Sequence, residues 1–188
     1  TAARNKGYLQ HDLYTTEDGQ IKSFSQALHL SKGNLMILWC VEDSHFNNYA
    51  YAFMLGPDGS NAVPQFRLNN DPRLSIRVLK AIELPNQNIL VAGLMACLKT
   101  FNHFIWFKVF DQSGNVIRTG YYKELGLTVA GENIEMFPLD NERILVAVKT
   151  FILGPSEHNR LAFILDNNGD QISPDFNITL DTKSDENL

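Results

Sequence analysis

The feature that most constrains this chain is an order of apolar runs and turns that occurs three times along it. In the middle copy an apolar run begins at Ile89, a second run follows after a polar break, and a turn closes the copy at Gly114. Equivalent turns end at Gly59 and Gly169, which lie at equal intervals before and after Gly114. Ile144 follows Ile89 by the same interval. Two landmarks that keep one spacing predict internal structural repeats.

Each copy is predicted to contribute four β-strands. The apolar runs are short, rich in β-branched and aromatic residues, and bounded by Gly, Pro, Asn and Asp. No window keeps the apolar spacing of an amphipathic helix. We therefore predict an all-β chain that forms one β-repeat domain over residues 1–188, with units at 21–64, 65–117 and 118–172 and half-units at both ends. The first strand of the third unit is expected at Asn133–Leu139.

The units are expected to pack on one another. An antiparallel four-stranded sheet of about 50 residues has two apolar faces, and it cannot bury both of them alone. Blades around an axis and a linear stack both satisfy this requirement. Closed propellers need about four to eight blades, and three are visible here. The chain is therefore predicted to be a partial propeller, a subunit that assembles with others, or a piece of a longer array.

Several segments resemble the blades of β-propeller repeat proteins of the kind found in long bacterial and protist chains. The blade-like segments are Gly33–Trp39, Gln87–Gly93 and Glu142–Val148, each followed by an aromatic strand and a turn containing Gly. Gln65–Asn69 and Asp175–Leu180 resemble the segments between such repeats. The resemblance implies antiparallel four-stranded repeats stacked as a partial or assembling β-propeller, and it implies no particular activity.

Charge and composition exclude some classes of partner. The chain has 16 Lys and Arg against 21 Asp and Glu, and its basic residues are scattered, so we expect no nucleic-acid partner. No run approaches the ~20 apolar residues of a membrane span. No charged-then-apolar leader precedes Tyr8, so a signal peptide is expected to be absent or removed. The compartment stays open, with a secreted or cell-surface location favoured.

The two cysteines and one glycosylation sequon give little information about the function or the compartment of the protein. Cys40 and Cys97 both lie in apolar runs, so we expect buried thiols in preference to a disulfide. Two cysteines are too few for a zinc site of their own. Asn177-Ile-Thr179 matches a glycosylation sequon.

The loops between the second and third strands hold the candidate binding residues. Three of the five histidines lie there, and two of them are separated by the same interval as the glycine turns. If the units are blades, these loops share one rim, where imidazoles, amides and aromatic rings provide the chemistry of lectin-like or partner-binding surfaces. The alternative interpretation is a set of solvated loops. The candidates are Asp43, His45, Phe46, Asn48, Phe101, Asn102, His103, Glu157, His158 and Asn159.

The turns before the fourth strands are expected to be structural. They are similar to the Asp-box of sialidase-type propellers, although they lack its Ser and Trp. Asp166, Asn168 and Asp170 have oxygens that a calcium ion prefers, but no Glu closes the loop at EF-hand spacing. We expect no metal and no cofactor.

The function is predicted from the catalytic motifs that the sequence lacks and from the end strands of the predicted repeats. No nucleophile elbow, phosphate loop or paired-carboxylate motif is present. The leading hypothesis is a non-enzymatic scaffold or protein-interaction module that binds a protein partner or itself through its end strands. A carbohydrate-binding module that uses Phe46 and Phe101 is the alternative. A propeller glycosidase is a third, with Asp43 and Glu157 as its loop acids.

Overall fold

The fold is all β in the part of the chain that the structure describes. A computed structural model describes residues 21–42, 48–68, 74–97, 102–126, 129–140, 142–152 and 158–178. These residues form strands and turns without a helix. The strands are β1 (Ile21–His29), β2 (Leu35–Glu42), β3 (Asn48–Leu55), β4 (Asn61–Arg67), β5 (Leu74–Glu83), β6 (Ile89–Cys97), β7 (His103–Phe110), β8 (Val116–Gly126), β9 (Val129–Pro138), β10 (Arg143–Ile152), β11 (His158–Asp166) and β12 (Phe176–Asn177).

These strands form three four-stranded sheets. The first sheet has the order β1-β2-β3-β4, the second β5-β6-β7-β8 and the third β9-β10-β11-β12. Neighbouring strands are antiparallel and consecutive in sequence. The predicted all-β class and the predicted four-stranded antiparallel sheets are confirmed. Strand β9 begins earlier than the expected Asn133, because pairing with β10 continues back to Val129 after a register shift.

Alternation of side chains gives each sheet two apolar faces. In β2, Met36 and Leu38 point toward the second sheet, whereas Trp39 and Val41 belong to a separate cluster on the opposite side. This is the two-residue period of a pleated strand. We call the side that points toward the next sheet in sequence the forward face and the other side the backward face.

The sheets pack face to face in sequence order. The forward face of the first sheet and the backward face of the second form one buried cluster, in which Trp106 and Phe110 are the largest side chains. The forward face of the second sheet and the backward face of the third form another, around Phe107 and Phe163. The second sheet is therefore covered on both faces, which explains the continuously apolar sequence of β6.

One turn geometry closes the hairpin before the last strand of each sheet. In the second sheet the Gly114 N–H donates to the Asp111 carbonyl (3.1 Å), and the Asp111 N–H donates to the Asn115 carbonyl (2.9 Å). Gly59, Gly114 and Gly169 have φ values of 82°, 81° and 81°. A positive φ costs an L-residue roughly 1–2 kcal/mol. Glycine at this position is thus a requirement of the backbone.

Polar side chains join neighbouring sheets, two of them at the inner strands and one at the outer strand. The Gln26 carboxamide bonds both backbone groups of Ala81, donating to the carbonyl (3.0 Å) and accepting from the N–H (2.7 Å). Lys80 forms an ion pair with Glu135 between the second and third sheets (3.3 Å). We call the packed contact between two sheets a joint. Arg118 binds both carboxylate oxygens of Asp170 in the third sheet. Each of these contacts fixes the position of one sheet against the next.

Candidate interaction surface

Half of the residues predicted for the rim can be located. Asn48, His103 and His158 begin β3, β7 and β11, and these are equivalent positions in the three sheets. Asn102 precedes β7, and its carbonyl accepts the Cys97 N–H at 2.9 Å. Asn159 is the second residue of β11. Five candidates lie outside the described residues, namely Asp43, His45, Phe46, Phe101 and Glu157.

The Asn48 amide contacts the neighbouring sheet. Its backbone N–H and its side-chain Nδ2 both donate to the Ser75 hydroxyl, at 3.1 and 3.3 Å. Ser75 is fully buried in β5, and among the described residues it is the only polar residue in that state. These bonds satisfy a hydroxyl that burial would otherwise leave unpaired. Asn48 therefore stabilises the packing of the first two sheets.

An open cleft lies at the other end of the sheets, among the turns between their first and second strands. Its volume is about 610 Å³. Glu83 is its central acid, and it accepts bonds from the backbone and hydroxyl of Ser31 (2.6 Å each) and from the Gln112 amide (2.8 Å). The lining consists of Ser31, Glu83, Leu84, Pro85, Gln87, Pro138, Leu139 and Asp140.

The acids of this cleft are occupied by protein donors. Arg143 and the turn backbone bind the Asp140 carboxylate and lower its pKa.

Asp166 and Asp170, two of the residues considered for calcium in the sequence, are also bound by protein donors. The backbone N–H groups of its own turn donate to Asp166, and Arg118 donates to Asp170. Within the described ranges no group of three or more acidic, His or Cys side chains is arranged to hold a metal ion.

Burial in the protein interior shifts two other pKa values. Burial raises the pKa of the Cys40 thiol to about 11, so this thiol is protonated at neutral pH. Cys40 and Cys97 are both thiols, and no disulfide joins them. The expected burial is confirmed for Cys40 and is wrong for Cys97, which is half-buried at the end of β6. Burial also lowers the pKa of Lys108, whose ammonium group donates to the Leu68 carbonyl and lies 5.6 Å from the Trp106 ring centroid. Both groups belong to the first two sheets and lie away from the exposed face described next.

The forward side of β9, the inner strand of the third sheet, is more exposed near its end than the equivalent strands of the other two sheets. Leu30, Leu84 and Leu139 occupy the same place, since each donates its backbone N–H to the carbonyl four residues later (2.8, 2.7 and 2.9 Å). Their exposed fractions are 0%, 2% and 47%. Phe137, two residues before Leu139 in the same alternation, is 48% exposed. These two side chains are the most exposed apolar groups of the face.

The remainder of this face continues onto the neighbouring strands. Leu145 and Ile164, opposite one another in β10 and β11, are half-buried. Ala147 and the fully buried Ala162 form the next pair. Glu135 lies beside Ala147 on β9, with a side chain that is 42% exposed. The face therefore has an aliphatic and aromatic centre with an acidic residue at its inner strand.

Sequence reasoning missed this surface because no local signal marks it. Leu84 and Leu139 have the same residue type, and each donates its backbone N–H to the carbonyl four residues later. They differ in that Leu84 packs against side chains of the third sheet. The half-units expected at the chain ends led to a prediction of binding through the edges of the end strands, which is a different surface from this sheet face. Aligning the forward-facing positions of the three units would have located the surface.

Comparisons with protein-family models, with curated proteins and with solved structures found no match for this chain. Among the described residues there is no helix of the length and apolarity needed to cross a membrane.

Proposed function

We propose that this chain is a non-enzymatic scaffold, built of β-propeller-type repeats, that binds a polypeptide partner through the forward face of its third sheet. The observation that carries the proposal is the exposure of Leu139 at a position that is buried in both preceding sheets. Exposed apolar patches of this kind mark interaction sites on soluble proteins. The repeat and propeller assignments rest on the common order of the three sheets and on their shared turn geometry.

The energetics favour a covering partner. Burying a Leu or Phe side chain fully contributes roughly 1.5–3 kcal/mol, so covering the exposed halves of Phe137 and Leu139 contributes about 1 kcal/mol each. Leu145 and Ile164 add a smaller amount. Binding must also offset lost translational freedom and side-chain ordering. A joint of this composition is therefore expected to be reversible, unlike the two internal joints.

The scaffold role also agrees with the chemistry of the described cleft. Glu83 and Asp140 are held by neighbouring donors, and both lie among turn backbones with apolar groups between them. A general acid or base needs access to a substrate proton. The carbohydrate alternative depends on Phe46 and Phe101, which lie outside the described residues, so it keeps the status of a sequence-based hypothesis.

The proposal is tested by comparing matched variants in one binding experiment. Wild-type chain, Leu139→Lys and Ile117→Lys are immobilised and exposed both to a cell extract and to the purified chain. Ile117 is the control, because it is 54% exposed on the outer strand of the second sheet. We expect wild type and the Ile117 variant to retain the same proteins and the Leu139 variant to lose them. Equal retention by all three, or by none, would contradict the proposed function.

A further inference from the structure

We infer that the polypeptide partner places a basic side chain, Lys or Arg, in the cleft beside Glu83 while its apolar side chains cover Phe137 and Leu139. The inference rests on the proposed function, because it specifies the chemistry of the partner that the same surface binds. It is derived from the position of the cleft next to that surface, from the charge of the cleft and from its apolar lining.

The cleft and the exposed end of β9 are continuous. Leu139 lines the cleft together with Pro138, and it is 47% exposed. Phe137 is 48% exposed, and strand alternation places it on the same side of β9 as Leu139. A polypeptide segment that covers Phe137 and Leu139 therefore also reaches the cleft.

The charge of the cleft is negative. Glu83 and Asp140 are the charged residues among the described residues that line it, and none of these is Lys, Arg or His. The Asp140 carboxylate already has a cation, since Arg143 forms an ion pair with it (2.6 Å). Glu83 has only uncharged donors among the described residues. Its carboxylate is therefore the lining charge that a basic side chain of a partner can complement.

The donors around Glu83 orient its carboxylate without neutralising it. The backbone N–H and the hydroxyl of Ser31 donate from the first sheet (2.6 Å each), and the Gln112 carboxamide donates from the second (2.8 Å). A carboxylate has roughly four lone-pair sites, so these bonds leave room for a further donor. A hydrogen bond from an ammonium or guanidinium group to a carboxylate is about twice as strong as a neutral one.

The repeated turn does not require an acid at this position. His29 and Pro138 occupy the position of Glu83 in the first and third sheets, because each precedes the leucine that begins the turn. In all three sheets that leucine donates its N–H to the carbonyl four residues later. The carboxylate is thus specific to the second sheet and is available for a role besides forming the turn.

The apolar lining favours a cation that is carried on an aliphatic chain. Pro85, Pro138 and Leu139 line the cleft and are exposed. Lys and Arg pack their methylene groups along apolar surface and keep the charge at the tip. A basic residue that has apolar neighbours in its own chain therefore matches the cleft and the exposed end of β9 together.

The test begins by selecting peptides that bind the chain. A display library of random short peptides is selected on the immobilised wild-type chain, and the affinity of the selected peptides is measured by calorimetry. We expect these peptides to share Lys or Arg beside apolar residues. Replacing that residue by acetyl-lysine or citrulline, which are uncharged, is expected to weaken binding roughly tenfold.

Three variants separate the charge of Glu83 from its contribution to the fold. Glu83→Gln removes the charge, Ser31→Ala removes one neutral donor and keeps the charge, and Glu42→Gln removes a charge at the opposite end of the first sheet. We expect Glu83→Gln to weaken the selected peptides roughly tenfold. It should also reduce the dependence of their affinity on salt, because salt screens the lost ion pair. Both controls should bind as wild type does.

The outcomes distinguish this inference from the proposed function. Leu139→Ser, which adds no charge, identifies the peptides that use the exposed end of β9. Peptides that need Leu139 but neither a basic residue nor Glu83 would overturn the basic partner and leave the scaffold function standing. Peptides that bind Leu139→Ser as tightly as wild type, or a library that yields none, would contradict the proposed surface as well. The uncharged peptides are measured on wild type, so they decide the question even if Glu83→Gln unfolds.

Discussion

The second and third sheets have the same strand order and the same turn before their last strands, but among the described sheets only the second packs against a sheet on each side. Leu84 and Leu139 end equivalent inner strands, and they differ in exposure from 2% to 47%. Each residue donates its N–H to the carbonyl four residues later, and Leu84 in addition belongs to the buried cluster between the second and third sheets. Burial in this molecule is therefore a property of the joint between sheets rather than of the strand.

The two forward faces also differ in composition. Leu94 and Phe107 of the second sheet correspond to Lys149 and Ala162 of the third, because the repeat interval separates the members of each pair. The third face thus has smaller and more polar groups around a reduced apolar centre. Interfaces that form reversibly are less apolar than permanent ones. The difference agrees with internal joints that are permanent and a third face that associates and separates.

The largest expected effect is a difference between two identical substitutions. Leu84→Ala removes a buried side chain and is expected to lower the free energy of unfolding by about 2–5 kcal/mol. Leu139→Ala is expected to change it by no more than about 0.5 kcal/mol in dilute monomer. Urea unfolding of both variants measures the contrast. Equal losses would mean that the two positions share one environment.

A second prediction concerns the ring that fills the joint between the second and third sheets. Phe107 lies directly over Gly120, and a Cβ added there would be 2.1 Å from its ring. Gly120→Ala is expected to lower the free energy of unfolding by roughly 1–3 kcal/mol, since overpacking displaces Phe107 from the joint. The double variant with Phe107→Leu should lose less than the sum of the single losses. Strict additivity of the measured losses would argue against this contact.

The turns between the first and second strands of the sheets provide a smaller test, in which two substitutions are expected to change the free energy of unfolding in opposite directions. The first sheet has Gly33 at φ 88°, whereas the second has Gln87 at φ 65° in the same turn position. Gln87→Gly relieves an unfavourable backbone conformation and is expected to raise the free energy of unfolding by up to about 1 kcal/mol. Gly33→Ala is expected to lower it by about the same amount. Thermal unfolding of both variants checks the signs.

The smallest expected effect depends on pH. Asp111 accepts bonds from the Asn115 side chain and from the Asn115 and Ser113 N–H groups, and the Asn115 side chain is the main cause of its lowered pKa. A pKa lowered by folding stabilises the folded state above the unfolded pKa of about 3.9, and that contribution is lost as pH falls through the folded value. Asp111→Asn should therefore be less stable than wild type at pH 7. The difference should vanish in acid, which unfolding curves at both pH values would show.

The sequence was sufficient for the elements because their signals are local. The short apolar run of β2 and the glycines at 59, 114 and 169 identify strands and turns without knowledge of their neighbours. The exposure of Leu139 and the hydrogen bonds of Asn48 could not be predicted in this way. The first depends on contacts with another sheet, and the second depends on the Ser75 hydroxyl, 27 residues away in the next sheet. Both are properties of packing between sheets.

Thiol labelling tests most directly whether the third face is open while its counterpart is closed. Leu84→Cys and Leu139→Cys are each combined with Cys97→Ser, and the thiols are labelled in dilute native protein. The Cys97→Ser chain, in which Cys40 is the only thiol, gives the background rate. We predict that the thiol at 139 reacts as fast as in the unfolded chain, and that the thiol at 84 reacts only when the joint opens. Equal protection of both thiols in the monomer would contradict this prediction.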